Sequence, residues 1–298
     1  MPETAQAVIL HTLLATYPNT VALKQGRVHS SSVQFDFADV RTANTAFKSL
    51  VRDQTFDVGE LAIVTYLQAK TFGKPYILLP AVVVGRRQHH SILYNAARGH
   101  LAPGDLNGRR VGVRAYTQTT GAWLRGILEE DHGVDFTRVR WVTFEEPHLS
   151  EYRDPAWVER APEHANLVQM LLDGQLDAAI FGNELPDAPL TRLIPDADQA
   201  AKTWAARRAM MPINHMMVVR ESIARNQPEV VQEIYRLLLE SRNAAPEGAA
   251  QDAVRFGVEP NRRALELIID YAVRQCLIPR RFTVDELFDD TTRALGAA

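Results

Sequence analysis

Cysteine is almost absent. Cys276 is the only one among 298 residues, so no intramolecular disulfide and no cysteine-built zinc site can form. Long apolar runs are missing too, and no stretch approaches the roughly 20 residues of a membrane-spanning helix. Lys and Arg total 33 against 36 Asp and Glu, a formal charge of −3, and the basic residues are scattered. Without a basic patch there is no electrostatic footprint for nucleic acid. Neither nucleic acid nor a membrane is therefore an expected partner. The opening MPETAQAVILHTLLATYPNT has no basic n-region and no apolar segment ending in a small-residue cleavage site, which together with the initiating Met predicts a cytoplasmic chain. Cys276, in the apolar stretch YAVRQCL, is expected to be a buried small hydrophobe.

What is present is a 46% hydrophobic content, enough for full-sized cores, on a length that suits two lobes or one large domain. Apolar strand patterns over 8–14, 33–37 and 77–84 alternate with helical spacing over 42–52 and 60–72. That is the rhythm of an α/β protein. Residues 91–94 read as a strand leaving the first lobe, 139–142 as a strand of the second, and 215–219 as the return, followed by helices over 228–243, 261–275 and 284–295. In the first of these helices Val231, Ile234 and Leu238 form an apolar stripe, and Pro228 sits where a missing N–H forfeits no bond. Two crossings predict a discontinuous lobe I from 1–94 and 214–298 and a lobe II from 95–213. Ligand chemistry is then expected in an interlobe cleft, on loops that follow strands.

The stretch DLNGRRVGVRAYTQTTGAWLRGILEEDHGV (105–134) reads as a loop, a short buried strand and a helix whose start is crowded with hydroxyls. Thr117, Thr119 and Thr120 offer caps, and a helix N-terminus presents unpaired N–H groups and a positive dipole end. The turn is a natural seat for a carboxylate or phosphate, so a small anionic ligand is expected.

Other residues carry chemistry less specifically. Glu60 falls in the first turn of the helix expected over 60–72, where an acid serves structure or function equally well, with Asp57 capping the same turn. GRRQHHSILY packs Arg86, Arg87, His89 and His90 into five positions, a solvated loop or a guanidinium clamp for carboxylate. His215 lies in a strand pattern where a lone histidine is ordinarily a satisfied core residue; at the return crossing it can instead reach a cleft and move a proton near neutral pH. Glu145 and Glu146 read first as a solvated loop, and Asn183 and Glu184 follow a strand by position alone. No His-x-x-x-His stands on a helix, so no metal is expected, although Glu60, His90 and His215 could together form a discontinuous metal site.

Taken together, FDVGEL (56–61), GRRQHHSILY (85–94), AWLRGILEEDHGV, FEEP (144–147) and PINHMMVVR (212–220) resemble the 4,5-dihydroxyphthalate decarboxylase family, over most of the chain from Phe35 onward. The run DLNGRRVGV and the segment MLLDGQLDAAIFG (170–182) resemble the second lobe of type II periplasmic-binding-protein folds. The resemblance implies that two-lobed fold and carries Glu60, the pair His90-Ser91, an arginine at 86 or 87, and His215 over as site residues, while FGNELPD does not reproduce the family's polar loop.

It further implies decarboxylation of a hydroxylated aromatic dicarboxylate in phthalate degradation, with no redox cofactor. His215 would be the general acid with His90 second, Glu60 an orienter or phenol base, and Arg86 or Arg87, Ser91, Thr119, Thr120 and Asn183 the substrate contacts. A homo-oligomer is an ordinary state for such an enzyme. Two rival readings use the same scaffold: a non-enzymatic solute-binding protein for a small organic acid, and a biosynthetic enzyme of the menaquinone or thiamine-precursor kind.

Overall fold

The computed structural model describes residues 6–182, 184–246 and 253–296. Their chain order is β1 (Val8–Leu13), α1 (Val21–Lys24), β2 (Val33–Phe37), β3 (Val58–Ala62), α2 (Ile63–Thr71), β4 (Tyr76–Gly85), β5 (Ile92–Tyr94) and β6 (Arg110–Val113). Then come α3 (Thr119–His132), β7 (Arg140–Thr143), β8 (Val158–Arg160), α4 (Leu167–Leu172), β9 (Ala178–Ile180), β10 (Thr191–Arg192), α5 (Ala197–Arg208) and β11 (Ile213–Arg220). Four helices close the chain: α6 (Glu221–Asn226), α7 (Pro228–Asn243), α8 (Arg262–Arg274) and α9 (Asp290–Arg293). Contacts divide it into two units, the first Met1–Arg86, Ile213–Leu267 and Arg281–Ala298, the second Arg87–Pro212 with Ile268–Arg280.

The first unit holds a five-stranded sheet in the order β2-β1-β3-β11-β4. β1 runs parallel to β2 and β3, whereas β11 enters antiparallel between β3 and β4. All five residues of β3 are buried, as suits an inner strand covered on both faces. Gly59 allows this packing, because a Cβ there would stand 2.2 Å from Leu50 Cδ1. Leu10, Val58, Leu79, Val83 and Met217 join Val231, Ile234 and Leu238 of α7 in one core. Apolar burial of this kind contributes roughly 25 cal/mol per Å².

The second unit holds a six-stranded sheet in the order β10-β5-β9-β6-β7-β8. Its inner strands β6, β7 and β9 are parallel, and β5 is antiparallel to β9. Leu93, Val142, Leu171, Leu176, Ala179 and Phe181 form its core.

Several local expectations are corrected. Glu60 lies inside strand β3, and the helix starts only at Ile63. Residues 42–52 form a 3-10 turn at Ala43–Ala46 and a wide π turn at Ser49–Asp53, ended by Gln54 in the left-handed region at φ 54°. The helix expected over 284–295 is interrupted: Asp285–Leu287 is a 3-10 turn, and Asp289 caps a new start at α9 by accepting from Thr292 N–H. The strand expected at 91–94 to leave the first lobe is β5, hydrogen-bonded within the second sheet. Cys276 is exposed, beyond the end of α8 and at φ 57°. Among the described residues no helix is long and apolar enough to cross a membrane.

Candidate active site

The chemistry of the first unit gathers around Glu60. Its residue is fully buried in the inner strand β3, where a carboxylate survives only if its lone pairs are met by donors. Three donors meet it. Oε1 accepts from the Tyr17 hydroxyl at 2.6 Å and from His215 Nδ1 at 2.6 Å, and Oε2 accepts from the Ala15 backbone N–H at 3.1 Å.

The sheet explains the meeting. β11 pairs with β3 so that Met217 opposes Glu60 and His215 opposes Ala62, which puts His215 on the same face as Glu60, one diagonal step away. Tyr17 comes from the turn after β1, held by Thr20, whose hydroxyl accepts from Tyr17 N–H at 2.8 Å and donates to Ala15 C=O at 2.9 Å. Phe47 packs against the His215 ring in an edge contact, 5.3 Å between centroids. The imidazole side chain keeps 21% exposure while its carboxylate partner has none. An ionised carboxylate can only accept, so Nδ1 carries a hydrogen and Nε2 is the nitrogen left for other chemistry. Burial holds the Tyr17 phenol well above its ordinary range, with the Glu60 charge and hydrogen bond adding to the effect and Arg86 opposing it. Arg86 is half-buried, and burial lowers its pKa.

Asp57 does not cap a helix. It accepts from His11 N–H at 3.0 Å and pairs with Arg220 at 3.3 Å, pinning the start of β3 to its neighbours.

The remaining candidates belong to the second unit. Arg87 is exposed, His90 is half-buried, and Ser91 is buried with its hydroxyl donating to Gly182 C=O at 3.4 Å. His89 is 2% exposed and meets Trp204 edge-on at 6.0 Å, and neither ring nitrogen has a hydrogen-bond partner. Burial lowers its pKa to about 4. Thr119 and Thr120 are buried in the first turn of α3; contrary to the threonine caps expected, the N-cap residue is Gln118, and its side chain makes no capping hydrogen bond. Glu145 is exposed and paired with Arg114 at 2.9 Å, and Glu146 and Glu184 are exposed. Asn183 lies outside the described residues. Among the described residues no group of three or more His, Cys, Asp or Glu side chains is arranged to hold a metal ion.

Comparison with known proteins finds two decarboxylases. The chain is 34% identical over 190 residues to a 4,5-dihydroxyphthalate decarboxylase of Pseudomonas putida, covering 58% of this chain and 73% of that one. It is 30% identical over 220 residues to the protein of the same name from Comamonas testosteroni, covering 66% of this chain and 64% of that one. The chain belongs to the 4,5-dihydroxyphthalate decarboxylase family. No family model matches it. Among solved structures it is similar to the periplasmic aliphatic sulphonate binding protein SsuA from Escherichia coli (TM-score 0.62, 12% identity, 96% of this chain and 92% of that one). It is also similar to the alkanesulfonate-binding protein SsuA from Xanthomonas axonopodis pv. citri (TM-score 0.58, 14% identity, 97% and 99%). The fold of this member of the decarboxylase family is thus periplasmic-binding-protein-like.

Sequence reasoning passed over Tyr17. The signal available was its place, a phenol in the turn TYPNT directly after a strand, at the end of a parallel pair where α/β sheets put their ligands.

Proposed function

We propose that this chain decarboxylates 4,5-dihydroxyphthalate to 3,4-dihydroxybenzoate and carbon dioxide. Family membership supports the substrate, and the observation that carries the chemistry is the 2.6 Å contact between His215 Nδ1 and the fully buried Glu60. The hydroxyl para to the departing carboxylate pushes electron density onto the carbon that bears it. His215, protonated on both nitrogens, transfers the Nε2 proton to that carbon, and the carbon–carboxylate bond then breaks, its electron pair restoring the aromatic ring as carbon dioxide leaves. The imidazole regains a proton from solvent, so one proton is consumed per turnover. Glu60 stabilises the imidazolium and fixes its orientation, and Tyr17 holds Glu60 in place. Arg86 or Arg87 and the first turn of α3, with Thr119 and Thr120, take the carboxylates. The reaction places no demand on a redox cofactor.

The test is incubation of the purified protein with 4,5-dihydroxyphthalate, following 3,4-dihydroxybenzoate by chromatography and carbon dioxide by trapping. Stoichiometric release of both is expected. Binding of the diacid with no carbon dioxide over hours refutes the decarboxylase and leaves the solute-binding alternative.

A further inference from the structure

Arg125 is 1% exposed, in the middle of the second unit. Its Nε donates to Gln275 Oε1 at 2.7 Å, its Nη2 donates to Tyr116 C=O at 2.7 Å, and its guanidinium lies 3.9 Å from the centre of the Tyr116 ring. All of these partners are neutral. Among the described residues no carboxylate lies within ion-pair distance, 4 Å, of this side chain. Asp154, paired with Arg160 at 4.0 Å, acts on it only at longer range. Arginine does not lose its proton in proteins, so the second unit carries a full buried positive charge that no carboxylate of the described residues contacts.

The location sharpens the problem. Nη1 has no hydrogen-bond partner, and it stands where a Cβ on Gly121 would come within 3.1 Å, beside the first turn of α3. A 14-residue helix concentrates roughly half a positive charge at its N-terminus. Two positive ends therefore share one buried corner, and the hydroxyl of Tyr152, another group that acts on Arg125, is also buried without a partner. This arrangement costs stability. An anion at the α3 N-terminus would relieve both charges at once.

Resting on the diacid reading above, we propose that Arg125 is a positioning residue whose buried charge, behind the first turn of α3, selects an anionic carboxylate over a neutral group at that turn. It acts through the Tyr116–Gly121 turn and the local potential. Neutralising it removes preference for charge more than it removes binding as such.

The test is calorimetric titration of the whole protein with phthalate, an unreactive aromatic diacid, and with phthalamide, its uncharged analogue, for the parent, Arg125→Met and Arg125→Lys. The parent is expected to prefer phthalate. Arg125→Met should bind phthalate about ten- to a hundredfold more weakly with phthalamide unchanged, and Arg125→Lys, which keeps the charge, should recover much of the preference. Should Arg125→Met not fold, Arg125→Gln, which keeps a donor for Tyr116 and carries no charge, is judged by the same ratio. The proposal is overturned if a folded uncharged variant keeps the parent's preference, if both ligands weaken equally, or if the parent does not bind phthalate. Turnover of 4,5-dihydroxyphthalate by the parent is assayed alongside. Turnover with an unchanged ratio in the variant overturns the role of Arg125 alone, whereas a changed ratio without turnover in the parent overturns the decarboxylase alone.

Discussion

Two buried polar regions of this molecule are in opposite conditions. Around Glu60 a carboxylate is met by three donors, from a hydroxyl, an imidazole and a backbone N–H. Around Arg125 the guanidinium keeps an unpartnered Nη1 and has no ion pair, and Tyr152 is unpartnered beside it; elsewhere in the same unit both nitrogens of His89 and Nε1 of Trp204 share that state. A satisfied network holds its members in one geometry before any ligand arrives. Unsatisfied buried groups carry a desolvation cost that a ligand can recover. The first region is suited to holding a proton donor still, the second to being completed by something that binds.

The comparison breaks most visibly at His215. On the proposed mechanism His215→Gln keeps a hydrogen bond to Glu60 but cannot transfer a proton, so kcat should fall on the order of 10²–10⁴-fold while phthalate affinity changes little. A histidine serving only the core would show the reverse, a lower melting temperature with near-normal kcat in the folded fraction.

Glu60→Gln tests the satisfied network itself. The amide offers one acceptor where three donors now converge, so a donor must face a donor, and unfolding in urea should reveal a loss of about 1–3 kcal/mol. Unchanged stability would mean that the three bonds do not hold this region.

The smallest effect is expected at His89. Its folded pKa, about 4, lies below its ordinary 6.5, so the unfolded chain takes up the proton first as pH falls. The stability this neutral histidine contributes is full above pH 6.5 and is lost as pH drops toward 4. His89→Phe should therefore gain on the parent in melting temperature between pH 7 and pH 4.5, and curves that stay parallel over that window would contradict the burial of a neutral ring.

Much of the fold was legible. Strand 33–37 and helix 228–243 have the bounds their patterns predict, because alternation in one and the Val231, Ile234, Leu238 stripe in the other are local signals. The misreading at Glu60 is instructive: an inner strand buried on both faces has no alternation, and VGELAIV fits either period, so only the neighbouring strands decide. The break before α9 was hidden in a capping pair, Asp289 and Thr292, inside an otherwise helical pattern. Tyr17 and Arg125 were illegible for one reason. Their partners lie 43 residues away in Glu60 and 150 away in Gln275, and no periodicity reports such a distance.

Glu60 and His215 are 155 residues apart, and the strand that delivers His215 belongs between β3 and β4. On a ribosome adding about 5–20 residues per second, β4 is finished on the order of 10 seconds before β11 emerges. Throughout that interval the nascent first sheet has a missing inner strand, with two unpaired apolar edges and a carboxylate whose imidazole partner has yet to be synthesised. This open slot, flanked by LLPAVVV on one side, is where association with other chains would compete with folding. The architecture that brings acid and imidazole together thus also sets the time at which a newborn chain is most in need of a chaperone.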